Sequence, residues 1–160
     1  MAVTVTGPPG AARLAPPLRT LVNVALALER ARPGEIAIVL ADDATLRALN
    51  RTWRGIDRAT DVLSFGYDDG AGPAPTARTR SARSVSGDLI LSEQRWHEQA
   101  RRYRVSRARE LARLVIHGAL HLSGLDHHRP AERRHMRARE EAALRKGAVA
   151  IRALERVLAR

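Results

Sequence analysis

The chain has 160 residues, 44% hydrophobic but only 3% aromatic, which suits one domain with an aliphatic core. It contains no cysteine, so a disulfide scaffold and a thiolate metal site are both excluded, and any transition metal must be held by His, Asp or Glu. The net charge of +11, from 28 basic and 17 acidic residues, favours a polyanionic partner such as nucleic acid, a ribosome or a membrane surface.

The segment from Met1 to Gly10 has neither a basic start nor an apolar run, and no stretch approaches ~20 apolar residues. A cytoplasmic protein with no membrane span is therefore expected. Residues 3–6 alternate Val and Thr and predict a strand. Pro16 and Pro17 suit a helix start, and Leu18, Leu21, Val22, Ala25 and Leu26 give that helix one apolar stripe. Pro33-Gly34 predicts its stop, and residues 35–40 a second strand. Asp42 is a good N-cap for a helix through Leu46 and Leu49. Residues 61–65 and 87–91 predict two more strands, separated by a Gly-, Pro- and Ser-rich loop over 68–86.

Ser92 and Ser106 are suited to cap two successive helices, the second carrying Leu111, Leu114, Val115, Gly118 and Leu122 on one buried stripe. Gly124 ends it, and Pro130 opens another helix to about Arg145. Gly147 then sets off a last amphipathic segment. The whole predicts an α+β fold: a small mixed four-stranded sheet covered by about five helices. Residues 1–147 form a single domain in this reading, and 148–160 a basic amphipathic C-terminal extension.

The run from His117 to His127 carries the chemistry. His117 and His121 lie four apart, on one face of a helix. Gly124 permits a sharp reversal that brings His127 back against the pair. Three imidazoles leave a fourth position open, which marks a catalytic rather than a structural zinc site. Three-histidine ligation favours zinc but admits nickel, cobalt or copper. The spacing matches the metzincin pattern His-Glu-x-x-His-x-x-Gly-x-x-His, except that Gly118 stands where the peptidases place their general base. A peptidase mechanism therefore lacks its proton acceptor. Asp126 can orient a ligand histidine through its other ring nitrogen.

A second unusual stretch runs from Leu49 through Arg54 and Asp61 to Phe65. Arg54 can clamp a phosphate through its planar fork, or form a salt bridge to Asp57 or Asp61. From Arg78 to Arg109, nine arginines stand against three acids, a plausible surface for tracking a nucleic-acid backbone. Trp53, Trp96 and Tyr103 are available to stack bases, although packing is the commoner use of such residues.

Taken together, the Asn50-to-Phe65 stretch, the Gly87-Asp88-Leu89 run, the histidine run and the Met136-x-x-x-Glu140 pair closely resemble the YbeY-type bacterial rRNA-maturation endoribonucleases. The resemblance covers about residues 35 to 145. Leu125, Leu89 and Gly66 depart from the usual Tyr, Ile and Pro, none at a ligand position. The resemblance implies a zincin-like metal helix with one zinc ion (Zn2+) per chain, held by His117, His121 and His127. Arg54 is the implied catalytic arginine. Beside these, Asp126, Asp61 and Asp88 are the residue-level candidates for supporting or substrate-binding roles. The implied activity is single-strand-specific cleavage of an rRNA precursor in late small-subunit maturation and ribosome quality control. The small ribosomal subunit is the implied partner. The alternatives are a metallopeptidase-like hydrolase and a non-catalytic, metal-stabilised ribosome-assembly factor.

Overall fold

Alternation of apolar and polar residues builds the sheet, and in the computed structural model, which describes residues 2–67 and 83–160, it does so in four strands. They are β1 (Ala2–Thr6), β2 (Ala31–Ala41), β3 (Val62–Gly66) and β4 (Arg83–Ser92), in the spatial order β1-β2-β4-β3. β1 and β4 pair parallel to β2, and β3 closes the edge antiparallel to β4, so the sheet is mixed as expected. Ile36, Ile38 and Leu40 of β2 and Leu89 and Leu91 of β4 point into the core at the two-residue period of a strand.

Six α-helices and one short 3-10 helix (Ala11–Leu14) complete the described residues. α1 (Ala15–Leu28) fully buries Leu18, Leu21, Val22, Ala25 and Leu26, the stripe that its spacing predicts. α4 (Arg107–Leu122) is buried on nearly all sides, from Ala108 to Leu120, and forms the central rod of the molecule. α1, α4, α5 (Pro130–Lys146) and α6 (Ala148–Leu158) pack on one another, while α4 also crosses β3 and β4. α2 (Asp43–Arg54) and α3 (Glu93–Tyr103) pack together beside β3 and β4. No helix among the described residues is long and apolar enough to cross a membrane.

The caps form where the sequence places them. Asp42 accepts a hydrogen bond from the Thr45 amide at 2.8 Å, Ser92 from Arg95 at 3.2 Å and Ser106 from Arg109 at 3.0 Å. The Ser92 hydroxyl also donates to Asp43 at 2.6 Å, tying the start of α3 to the start of α2.

Two boundaries differ from the sequence expectation. Pro33-Gly34 does not stop the chain before β2. Both residues lie inside the strand, at a register shift between Pro33 and Ile36. A bulge tolerates a proline that cannot donate to the ladder, and the Ser86 hydroxyl accepts from the Glu35 amide at 3.0 Å beside it. β4 correspondingly begins at Arg83, inside the stretch read as loop, because residues 83–85 pair with residues 31–33. The rest of that loop, with Arg78 and Arg80, lies outside the described residues. Residues 148–160 supply α6, which buries Ala150, Ile151 and Leu154 in the common core.

Candidate active site

The last two turns of α4 carry His117 and His121, one helical turn apart. The helix then closes with a Schellman arrangement: Leu125 N–H donates to the Leu120 carbonyl at 3.1 Å and Gly124 N–H to the His121 carbonyl at 3.0 Å. Gly124 takes φ of 111°, a conformation open to glycine without strain. The reversal brings His127 back to the helical pair. The ring centroids stand 4.6 Å apart for His117–His121, 4.7 Å for His121–His127 and 5.4 Å for His117–His127. One nitrogen from each ring lies within 4.8 Å of the others.

Two of these imidazoles, His121 and His127, are biased toward the neutral form that binds metal. Burial pushes His121 down to about 4, helped by the charges of His117 and His127, against a hydrogen bond to the Leu125 backbone that raises it. Burial lowers His127 as well, with His117 next in effect. Nδ1 of His117 meets the carboxylate of Glu140 on α5. In the neutral ring that donates from Nδ1, Nε2 carries the lone pair, and it faces Nε2 of His121 at 3.1 Å. Two lone pairs so placed repel unless a proton or a cation stands between them. The donor set thus fits a metal ion.

The three histidines line an open cavity of about 590 Å³ together with Arg54, Asp61, Trp53 and Phe65. Arg54 is the last residue of α2, before Gly55 turns the chain in the left-handed region at φ 70°. It forms no ion pair with any described residue. Asp57 instead pairs with Arg47 in a two-pronged contact at 2.8 and 3.1 Å. Asp61 accepts from the Val62 amide at 2.8 Å and from Gln99 at 3.4 Å. Neither aspartate sequesters Arg54, which leaves its guanidinium available to an anionic ligand.

The other sequence candidates divide. Asp126 lines the cavity, yet its carboxylate accepts from the His127 amide at 2.7 Å and lies 3.3 Å from Nε2 of His128 and 3.8 Å from Nδ1 of His127. It braces the turn, and it is Glu140 that touches a ring nitrogen of the helical pair. The only sequence signal for Glu140 is its place four residues after Met136. Asp88 lies in register with Phe65 and accepts from the Tyr67 hydroxyl, and it does not line the cavity. Behind the site, fully buried Glu110 is held by Arg113 at 2.7 Å and by Gln99 at 2.9 Å, and Gln99 also reaches Asp61. That network ties α3 and α4 to the segment that leads into β3.

Gly118 faces the sheet. A Cβ there would stand 2.8 Å from Leu89 and 3.3 Å from the Ser64 hydroxyl, which donates to the Gly118 carbonyl at 3.3 Å. A side chain at this position would require Leu89 to shift, and a glutamate more so than an alanine. Trp96 is buried in the core, with its indole N–H on the Arg107 carbonyl at 2.7 Å, and Tyr103 lies at the surface beside Arg113. Arg101, Arg102, Arg104, Arg107 and Arg109 are all exposed.

The family model described as Endoribonuclease YbeY matches residues 12–148. A protein named Endoribonuclease YbeY from Roseiflexus castenholzii is 50% identical over 115 residues, 71% of this chain and 70% of the relative. One of the same name from Moorella thermoacetica is 42% identical over 126 residues, 79% of this chain and 81% of the relative. The solution structure of TM1509 from Thermotoga maritima shares the fold, with a TM-score of 0.53 at 22% identity over 91% of both chains. The match runs through both stretches that meet in the cavity, the end of α2 and the histidine turn, and the chain belongs to the Endoribonuclease YbeY family.

Proposed function

We propose that this protein is a zinc-dependent endoribonuclease that cuts single-stranded RNA during rRNA processing in the cytoplasm. Its substrate in this reading is an rRNA precursor in late maturation of the small ribosomal subunit and in ribosome quality control. The observation that carries the proposal is one cavity holding both a convergent set of three imidazoles and an arginine free of partners among the described residues.

His117, His121 and His127 would hold the ion. When bound, it supplies a Lewis acid for the phosphoryl oxygens and lowers the pKa of water. Glu140 fixes the ring of His117 so that Nε2 points inward. Arg54 reaches a non-bridging phosphate oxygen from the end of α2 and offsets its charge. Asp61 and Asp126 are the carboxylates that line the cavity. The exposed arginines of α3 and α4 attract the polyanion from a distance.

The metallopeptidase reading loses its footing at Gly118, which packs against Leu89 and offers no carboxylate where the peptidase pattern has its base.

The test is cleavage of a single-stranded RNA by protein loaded with stoichiometric zinc, with a duplex as control. Chelation and His121→Ala should remove both metal and cleavage. Arg54→Ala should retain the metal and lose roughly tenfold or more in cleavage, the worth of a charge-assisted hydrogen bond to phosphate. Zinc-loaded protein that cuts no better than His121→Ala would refute the reading. RNA binding without cleavage would then favour an assembly factor.

A further inference from the structure

The chain has two tryptophans, and they have opposite surroundings. Trp96 is 2% exposed and hydrogen-bonded, a core residue in every respect. Trp53 is 69% exposed, the most exposed of the large hydrophobic side chains among the described residues. It is not on the solvent face of its helix. Leu46 and Asn50 form the buried face of α2, and residues three and four beyond Asn50 continue that face. Those residues are Trp53 and Arg54. At this point the helix has run past the core, and the same face looks into the cavity of the three histidines.

Packing does not account for the indole. Its ring contact is with Phe65, edge to face, at 6.4 Å and 65°, and it leaves most of the ring surface open. Both rings line the cavity. An apolar protein segment is a poor occupant, because the exposed guanidinium-bearing Arg54 lines the same cavity as the indole. A flat, uncharged ring attached to an anionic chain meets both features, and a nucleobase of single-stranded nucleic acid has that form.

We infer that Trp53 forms a nucleobase-stacking subsite at the rim of the cavity. The base of a nucleotide adjacent to the phosphate held by Arg54 lies on the indole, with Phe65 bracing the ring from its edge. The subsite rests on the proposed action on single-stranded RNA and adds a contact that sets how a strand is placed. Stacking accepts any base, so the subsite gives affinity and position rather than sequence choice.

The experiment is a fluorescence titration of the full chain, without added metal, with a short oligoadenylate and with an abasic strand of equal length. Oligoadenylate should quench the indole emission, and Trp53→Phe, in which Trp96 is the remaining indole, should show no quenching. Measured by anisotropy of a labelled strand, Trp53→Leu should bind oligoadenylate roughly tenfold more weakly, within the range for loss of one stacked base. It should bind the abasic strand as the parent does, and Trp53→Phe should restore most of the affinity. Equal weakening of both strands, or none, overturns the subsite while leaving RNA cleavage intact. Parent protein that binds neither strand overturns the RNA reading and the subsite together.

Discussion

Nδ1 of His117 on α4 is held by the carboxylate of Glu140 on α5, 23 residues further along the chain. The contact decides which nitrogen of His117 faces His121, and so ties the aim of a proposed ligand to the packing of two helices.

Glu140→Gln should weaken zinc binding by about 10- to 100-fold, the usual effect of losing a carboxylate behind a ligand histidine. Glu140 is largely buried, and glutamine keeps its size and a hydrogen-bonding oxygen, so the helical content of the variant should match that of the parent. Competition with a chromophoric chelator measures the affinity, and an unchanged value would show that Glu140 does not orient the ligand.

The metal-free protein should lose stability as pH falls. His121 has an ordinary value of 6.5 and is held down to about 4 in the fold, mainly by burial. Between those values the unfolded chain takes up a proton that the native chain refuses. The native state binds fewer protons, so stability rises with pH across the window and is lost as pH falls through it. His127, lowered for the same leading reason, acts in the same direction. Calorimetric melts between about pH 7 and about pH 4.5 should show a falling Tm, with a shallower fall in His121→Ala. A Tm that holds steady or rises on acidification would contradict this.

Gly118→Ala should destabilise the protein. Alanine favours a helix over glycine by about 1 kcal/mol. Its Cβ, however, would stand 2.8 Å from Leu89, which is fully buried and has little room to move. Overpacking of a core costs about 1–3 kcal/mol, so the clash should equal or outweigh the helical gain. Denaturant unfolding reads the balance, and a variant more stable than the parent would show that Leu89 yields freely.

Much of this site is legible in the residues themselves. The pair His117 and His121, with Gly124 and then His127, specifies both a helix face and a reversal, because four-residue spacing and a positive-φ glycine are local rules. Asp42, Ser92 and Ser106 announce their helices for the same reason. What local rules miss is pairing across the sheet. Residues 83–85 have the composition of a loop and become strand because residues 31–33 stand beside them. Pro33 is read as a terminator, yet a bulge lets it remain in the strand. Arg54 shows the same limit: its neighbours Asp57 and Asp61 are plausible partners in sequence, and Arg47 and the Val62 amide take them instead. Trp53 is indistinguishable from a core tryptophan until the end of α2 is seen to overhang the cavity.

The turn at Gly124 divides the three histidines between two kinds of structure. His117 and His121 belong to a rod buried on nearly all sides, which opens only with the whole domain, whereas His127 sits exposed on a short reversal braced by Asp126. With a metal bound as proposed, His127 would be the first ligand to leave, and its departure need not disturb the rod. In that reading, exchange of the ion would be separate from unfolding of the domain, because the movement it needs is confined to one short turn.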